Sequence, residues 1–281
     1  MTKTQKIRLV YNSASGSHDD SQIAELAESL SGYGALERSD CKDDGLPAIR
    51  DLDDSDTDLV VIHGGDGTLN GCLTALEGWG GAVLALPGGT SNLLSHTLHG
   101  DLGSLDIVAL LSRGELTRSR IDCIRWRDGI AVAEILAGPG ARWANVREDI
   151  RDRDIAGALS HANEVIQRSA NGSLARLDKP AAGNPDGYGA IRLYPQSGKI
   201  AAAGYSIDGV ADFLAQGAAI ALRDYRKGPH DDIGQFAEVI CRSTGDEPLD
   251  LMIDGEIIEG QPSESFSLAP LGLDLLCATH G

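Results

Sequence analysis

The chain has 281 residues with 24 basic and 42 acidic side chains, which gives a formal net charge of −18. A chain of this length forms one large domain or two modest ones, each with a substantial core. A charge this negative argues against a protein that tracks DNA or RNA and against passive adsorption on an anionic membrane, although backbone amides can still bind a small anion.

The cysteines and the apolar runs indicate the cellular compartment of the protein. Five cysteines are scattered along the sequence without a CxxC pair, which is typical of reduced thiols in a cytoplasmic protein. The first residues lead into a short apolar strand rather than the long apolar region of a signal peptide. The sequence also lacks an apolar run of the ~18 residues that cross a bilayer. We therefore expect a cytoplasmic protein.

In the first part of the chain, apolar runs alternate with segments of helical periodicity. In chain order, the predicted elements are a strand at 7–11, a helix opened by Asp19 and Asp20, an acidic irregular stretch at 39–58, a strand at 58–63, a helix at 68–76, a strand at 82–86, and helices at 91–98 and 105–111. The first helix is the clearest, because apolar residues recur at i, i+3, i+4 and i+7 from Ile23. Strands that alternate with helices predict a Rossmann-like α/β domain with a parallel sheet.

After Gly114 the pattern changes to short apolar stretches separated by turn residues. The predicted elements are strands at 120–127 and 130–136 joined at Asp128–Gly129, a helix at 149–169, a hairpin of strands at 190–194 and 199–205, and short strands at 236–241, 249–253, 257–258 and 265–268. This pattern predicts a mostly antiparallel β-sandwich. We place the domains at residues 1–115 and 116–281.

The strongest functional motif is His63-Gly-Gly-Asp-Gly-Thr-Leu-Asn70, which lies between a predicted buried strand and a helix. Glycines allow the backbone to approach an anion, and the start of the following helix adds unpaired N–H groups. Asp66 is itself anionic, so its expected role is to hold Mg²⁺ or to orient the loop. The candidate ligand-binding residues here are Gly64, Gly65, Asp66, Gly67, Thr68, Leu69 and Asn70. A plain βα turn needs only one or two glycines, so it explains this motif poorly.

Two further loops follow neighbouring strands and are expected at the same edge of the sheet. Pro87-Gly-Gly-Thr-Ser-Asn92 contributes Gly88, Gly89, Thr90 and Asn92 as candidate binding residues, and by itself it also fits an ordinary capped helix start. Asn12-Ser-Ala-Ser-Gly16 contributes Asn12, Ser13, Ala14, Ser15 and Gly16. We expect the three loops to line one pocket.

Two carboxylates flank a tight turn near the C-terminus, in Asp254-Gly255-Glu256. Alone, this sequence is most simply a hairpin turn with a solvated glutamate. Beside the glycine loops, it becomes a candidate for the base that a phosphoryl acceptor requires. We predict Glu256 as the base, with Asp254 positioning it or a metal, and count Asp66 with them as catalytic.

Together these motifs resemble the diacylglycerol kinase catalytic-domain family, which includes sphingosine kinases and bacterial lipid kinases. The matching stretches are 12–16, 64–70, 87–92 and 254–256, in the family's order across almost the whole chain. The resemblance implies an N-terminal nucleotide-binding α/β domain, a C-terminal β-sandwich, and an active site in the cleft between them. It also implies ATP and Mg²⁺ as cofactors, a lipid alcohol as acceptor and transient membrane contact. Asp208 and Asp212 correspond to a short metal-binding loop of the family.

Two other functions remain open at this stage. Similar glycine loops occur in NAD kinases, although the Pro87–Asn92 stretch favours a lipid kinase. Family members often have Glu directly after the second motif, where this chain has Gly71. This difference leaves a non-catalytic nucleotide or lipid sensor of the same fold as an alternative.

Overall fold

A computed structural model describes residues 5–89, 92–142, 173–206 and 230–278. The chain divides into two units, one of Met1–Asp122 with Pro270–Gly281 and the other of Cys123–Ala269. The C-terminal segment thus belongs to the same unit as the N-terminal half. The predicted domain limits, 1–115 and 116–281, remain a prediction.

Apolar strands form the centre of the first unit. Its helices and strands are β1 (Lys6–Tyr11), α1 (Asp20–Ser31), β2 (Ala35–Asp40), α2 (Cys41–Asp44), α3 (Ile49–Asp54), β3 (Leu59–Gly64), α4 (Asp66–Ala75), β4 (Ala82–Pro87), α5 (Leu93–His99), α6 (Ser104–Arg113), β5 (Leu116–Ser119) and a final strand, Asp274–Ala278. Every residue of β3 is buried, as expected for the middle of a sheet covered on both faces. The predicted irregular stretch at 39–58 is wrong in part, because it contains α2 and α3.

The sheet of the first unit has the order β2-β1-β3-β4, followed by the final strand and then β5. The first four strands and the final strand run parallel to one another, and β5 pairs antiparallel with the final strand. The predicted parallel α/β fold is therefore confirmed. In β1, β3 and β4 the carboxyl ends lie side by side, since Tyr11 is in register with His63 and His63 with Leu86.

Helix α1 follows the predicted pattern closely. The side chain of Asp19 accepts hydrogen bonds from the backbone N–H groups of Ser21 and Gln22, which caps the first turn. The apolar positions of the predicted face are buried, at Ile23, Leu26, Ala27 and Leu30. Together with residues of β1, β3, β4 and α6, they form one hydrophobic core of the first unit.

The second unit consists of two antiparallel sheets. Its strands are β6 (Asp122–Trp126), β7 (Gly129–Ala131), β8 (Ile135–Ala137), β9 (Ala175–Lys179), β10 (Ala190–Gln196), β11 (Lys199–Tyr205), β12 (Asp231–Phe236), β13 (Glu238–Ser243), β14 (Asp250–Ile253), β15 (Glu256–Glu259) and β16 (Ser263–Pro270), so the final strand of the first unit becomes β17. One sheet has the order β12-β11-β10-β8-β14-β15 and the other β7-β6-β16-β13-β9. A single core cluster takes residues from both sheets, as in a β-sandwich. The predicted antiparallel fold is confirmed.

The turn predicted at Asp128–Gly129 lies one residue earlier. Gly129 already pairs with Trp126, so Arg127 and Asp128 form the turn. The predicted strand at 130–136 is also interrupted between β7 and β8, because the backbone there binds a side chain described below. The predicted helix at 149–169 lies outside the described residues.

All five cysteines are free thiols. No helix among the described residues combines the length and apolar character needed to cross a membrane.

Candidate functional site

Three loops leave neighbouring strands at the carboxyl edge of the first unit's sheet. The first loop (Asn12–Gly16) follows β1. The stretch called the second loop (Gly64–Asn70) starts at the last residue of β3 and runs into the first turn of α4, which begins two residues before the predicted helix at 68–76. The third loop (Pro87–Asn92) starts at the last residue of β4. Because β3 lies between β1 and β4, the second loop is flanked by the other two. The carboxyl edge of an open parallel sheet is where such folds bind their ligands.

In the second loop, the glycine-rich stretch leads directly into a ten-residue helix. Gly65 precedes α4 with φ −73° and ψ 174°, and no side chain caps the helix start. The first-turn N–H groups of a helix have no partners within it, and together with the helix dipole they favour an anion. Leu69 is fully buried and its N–H donates to the Gly65 carbonyl at 3.0 Å, so this predicted binding residue belongs to the core and to the helix.

The third loop approaches the second so closely that only glycine fits at two positions. The Gly88 N–H donates to the Gly64 carbonyl at 3.1 Å. A Cβ atom on Gly89 would lie 2.5 Å from the Cα of Gly65, and one on Gly88 would lie 2.7 Å from the Gly64 nitrogen. These distances are far below a normal carbon contact, so the glycines are required by backbone packing.

The side chain of Asn92 closes the third loop on itself. Its Oδ1 accepts from the Gly89 N–H at 2.7 Å, and its Nδ2 donates to the Gly89 carbonyl at 2.8 Å. Asn92 has φ 47°, in the left-handed region that asparagine tolerates better than most residues. Thr90 lies outside the described residues, as do the predicted metal ligands Asp208 and Asp212.

Hydrogen bonds connect the first loop to both others. Asn12 accepts from the Ala14 N–H at 3.0 Å and donates through Nδ2 to Thr68 Oγ1 at 3.4 Å. Just beyond the loop, Ser17 donates to the Gly88 carbonyl at 2.5 Å. Of the other residues in this loop, Ser15 lies next to Ser17, with 3.1 Å between the two hydroxyl oxygens. The structure thus brings the three loops into one cradle.

The remaining residues of the first loop make no hydrogen bond to the other two loops among the described residues; they are Ser13, Ala14 and Gly16. The Ser13 N–H donates to Asp40 Oδ1 at 3.0 Å, at the end of β2. Ala14 and Gly16 are exposed. Exposed small residues leave the entrance of the loop open to a ligand.

The cradle offers a magnesium ion few protein ligands. The described residues contain no group of three or more His, Cys, Asp or Glu side chains arranged to hold a metal ion. Mg²⁺ in nucleotide sites often takes only one or two carboxylates, with phosphate oxygens and waters as the other ligands. Asp66, at the start of α4, is the carboxylate that would serve here.

In the second unit, the carboxylate of Asp254 is bound to the backbone. Asp254 is 1% exposed and accepts hydrogen bonds from the N–H groups of Val132, Ala133 and Glu134, at 2.7, 2.9 and 2.9 Å. Its own N–H donates to the Glu134 carbonyl at 2.9 Å. Asp254 therefore ties the β14–β15 turn to the segment between β7 and β8, and this binding interrupts the strand predicted at 130–136.

Glu256 is placed differently from Asp254. It begins β15, is exposed to solvent, and pairs with Ile253 across the hairpin. The turn between these two residues has φ 47° at Asp254 and 96° at Gly255, as expected for a two-residue hairpin turn. The turn thus buries one carboxylate and presents the other.

Sequence reasoning missed an ion pair beside this turn. Buried Glu134 accepts from Arg192 Nε at 2.6 Å, and the Arg192 guanidinium lies over the ring of Tyr194, 4.1 Å from its centroid. Glu134 and Arg192 are 58 residues apart in the sequence, so no local motif predicts the pair. The same segment therefore carries both the N–H donors for Asp254 and a buried acid with its own partner.

The comparisons with known proteins agree with these motifs. Residues 6–124 match the family model described as "Diacylglycerol kinase catalytic domain", which confirms the resemblance and covers the three loops. No curated protein matches the chain.

Solved structures of similar fold cover nearly the whole chain. A crystal structure of a diacylglycerol kinase from Bacillus anthracis str. Sterne is 17% identical, with a TM-score of 0.67 over 99% of this chain and 98% of that one. Two further structures from the same organism are described provisionally as diacylglycerol kinases. They are 16% and 15% identical, with TM-scores of 0.64 and 0.66, covering 98% and 99% of this chain and 98% and 96% of theirs. At these identities the likeness shows the fold.

Proposed function

We propose that this protein transfers the γ-phosphoryl group of ATP to the hydroxyl group of a lipid alcohol of the diacylglycerol type. The observation that carries the proposal is the cradle, in which three glycine- and asparagine-containing loops are joined by hydrogen bonds in front of the N-terminus of α4. The match of the same residues to a diacylglycerol kinase catalytic domain supports the kinase class.

In this proposal the residues of the cradle bind and align the nucleotide. Backbone N–H groups of the second loop hold phosphate oxygens, while Asn12 and Asn92 fix the loops that flank it. Asp66 would hold Mg²⁺, which when bound neutralises charge on the phosphates. Little covalent chemistry remains for the protein in phosphoryl transfer, so alignment is its main contribution.

The acceptor hydroxyl needs a group that takes its proton. We assign this role to Glu256, because it is the exposed carboxylate of the turn. Asp254 is the positioning residue, since its buried carboxylate and its N–H together fix the turn that carries Glu256. A general base of this kind contributes about 10²–10⁴-fold to the rate.

A second function is favoured by one observation at the second loop. Gly71 lies where relatives often carry Glu, and a Cβ atom there would meet the side chain of Leu46 at 3.4 Å. At this position α4 has no side chain, so the carboxylate that relatives often carry there is missing. This favours a nucleotide sensor that binds ATP without transferring phosphate.

The decisive experiment incubates the protein with γ-labelled ATP, Mg²⁺ and a total lipid extract, and identifies the labelled lipid. We expect label in the organic phase for the wild type and a loss of turnover of about 10²–10⁴-fold for Glu256→Gln, with unchanged ATP affinity. Glu259→Gln is the matched control, because Glu259 is an exposed glutamate at the other end of the same strand.

Two outcomes contradict the kinase proposal or part of it. Wild-type turnover in Glu256→Gln would exclude this residue as the base while leaving the reaction in place. ATP binding without label in any lipid, for the wild-type protein, would favour the sensor.

A further inference from the structure

His63 is a buried titratable residue that the proposed mechanism does not use. It lies in β3 immediately before the glycines of the second loop, and its exposed fraction is 4%. The ring forms a hydrogen bond with the backbone of Pro87, which has no N–H and can only accept; because Nε2 has no partner among the residues described, we assign this bond to Nδ1. Within the described residues, the other ring nitrogen, Nε2, is buried and has no hydrogen-bond partner. Such a nitrogen is costly to leave without a partner in a folded protein.

The imidazole ring lies where the loops of the cradle meet. A Cβ atom built on Gly88 would lie 2.8 Å from His63 Cε1, so the ring is packed against the backbone of the third loop. Cε1 is bonded to both ring nitrogens, which places Nε2 close to this backbone as well. The carbonyl of the same Gly88 accepts the hydroxyl of Ser17, next to the first loop. His63 thus lies beside the second and third loops, and Gly88 connects this position to Ser17, next to the first loop.

We propose that His63 is a phosphate-binding residue whose Nε2 takes up a proton from solvent when a nucleotide binds, and then donates a hydrogen bond to a phosphate oxygen. In the neutral ring, with its proton on Nδ1, Nε2 presents a lone pair, which repels an anion. The protonated ring is a donor at both nitrogens, and a charged donor suits phosphate. The inference rests on the proposed function, because it requires a nucleotide in the cradle.

The electrostatic surroundings fix the direction of the effect. Burial lowers the pKa of His63, the charge of nearby His18 lowers it further, and the bond to Pro87 opposes them. His18 itself pairs with Asp20 at 3.0 Å and stacks on Tyr11. Asp66, three residues further along the chain, begins α4.

An ordinary histidine has a pKa near 6.5. Because the pKa of His63 is lower than that, His63 is mainly neutral in the free protein at neutral pH. A bound phosphate is an opposite charge that raises the pKa of His63, so binding takes up a proton. Nucleotide affinity then increases as pH falls, by at most about tenfold for each pH unit, because one proton is coupled.

Calorimetric titration of the protein with MgATP, in buffers of different ionisation enthalpy between pH 6 and 8, tests this inference. We expect the wild type to take up a fraction of a proton that His63→Gln does not take up. Glutamine keeps a neutral amide donor and does not titrate, so the variant should bind with a flatter dependence on pH. His96→Gln, which changes a half-exposed histidine of α5, should behave as the wild type does. Protonation of MgATP itself is common to all three proteins and cancels in the comparison.

The wild-type protein alone can overturn the inference, even if His63→Gln folds poorly. MgATP binding without proton uptake beyond that of the nucleotide would refute the role of His63 and leave the proposed function intact. Equal uptake in wild type and His63→Gln would refute it too. A complete lack of MgATP binding would overturn the proposed function, and the role of His63 with it.

Discussion

At Asp254, a carboxylate that the sequence presents as a catalytic candidate is bound by three backbone N–H groups. An acceptor-only side chain is well matched to three converging donors, whereas an amide places a donor among them. Because Asp254 is buried, water cannot replace the missing bonds. The residue is therefore required for the structure of the turn, whatever its part in the reaction.

We predict that Asp254→Asn lowers the free energy of unfolding by about 2 kcal/mol, the typical value for a buried hydrogen bond to a charged group. Urea unfolding followed by circular dichroism measures the change. Asp186→Asn is the control, since Asp186 is exposed in a loop of the same unit and should have little effect. Equal midpoints for Asp254→Asn and the wild type would mean that the backbone rearranges to satisfy these N–H groups in another way.

At the scale of elements, the glycines of the cradle have two different roles. Gly89 is required by packing, because its Cβ atom would overlap the backbone of the second loop. Gly65 has an ordinary φ of −73°, and its Cβ atom would meet only Gly89 Cα, at 3.5 Å. A side chain at position 65 is thus compatible with the backbone, so we propose that its glycine serves access for a ligand.

Alanine substitutions separate these two roles. We expect Gly89→Ala to lower the free energy of unfolding by about 1–3 kcal/mol through overpacking. Gly65→Ala should lower it by about 1 kcal/mol or less, because alanine is a poorer N-cap than glycine. Gly65→Ala should instead weaken MgATP binding by about tenfold or more, which corresponds to 1.4 kcal/mol. Thermal unfolding and calorimetric titration of both variants measure these effects. Unchanged MgATP affinity in folded Gly65→Ala would identify the second loop as a simple turn.

The elements that the sequence predicts well are those with strong local signals. Helix α1 combines a 3.6-residue apolar period with an aspartate cap, and the central strands are wholly apolar. The apolar pattern does not predict strands β2 and β17, because β2 is an edge strand with no buried residue and β17 pairs with strands far away in the sequence. Backbone pairing of that kind leaves little trace in an apolar pattern.

The candidate site, too, is predicted by the sequence only in part. Its loops were predictable, because glycine and asparagine mark backbone conformations and close approaches that other residues do not permit. The roles of His63 and of the Glu134–Arg192 pair were not, since each depends on neighbours that only the folded chain supplies. The different burial of Asp254 and Glu256, on which their proposed roles rest, likewise depends on the folded hairpin.

At the scale of the whole molecule, charge is the dominant property. The formal charge of −18 is spread over a chain with 42 acidic side chains. The proposed lipid acceptor nevertheless requires that the protein contact a bilayer, or bind a lipid molecule that has dissociated from a bilayer. An anionic surface repels such a protein over roughly the Debye length, which is ~10 Å at 0.1 M salt.

We predict that the protein binds weakly to lipid vesicles, and less to vesicles rich in phosphatidylserine than to those of phosphatidylcholine. The repulsion is electrostatic, so raising the salt from 0.02 M to 0.5 M, about a fivefold decrease in Debye length, should remove most of the difference. Co-sedimentation with both vesicle types at both salt concentrations measures it, with protein alone as the control for aggregation. Tighter binding to phosphatidylserine at low salt would contradict the prediction, because it would require a local basic surface strong enough to outweigh the net charge. In that case the basic surface would direct contact with the membrane. Weak binding that does not depend on lipid charge would instead mean that the apolar part of the lipid attracts the protein.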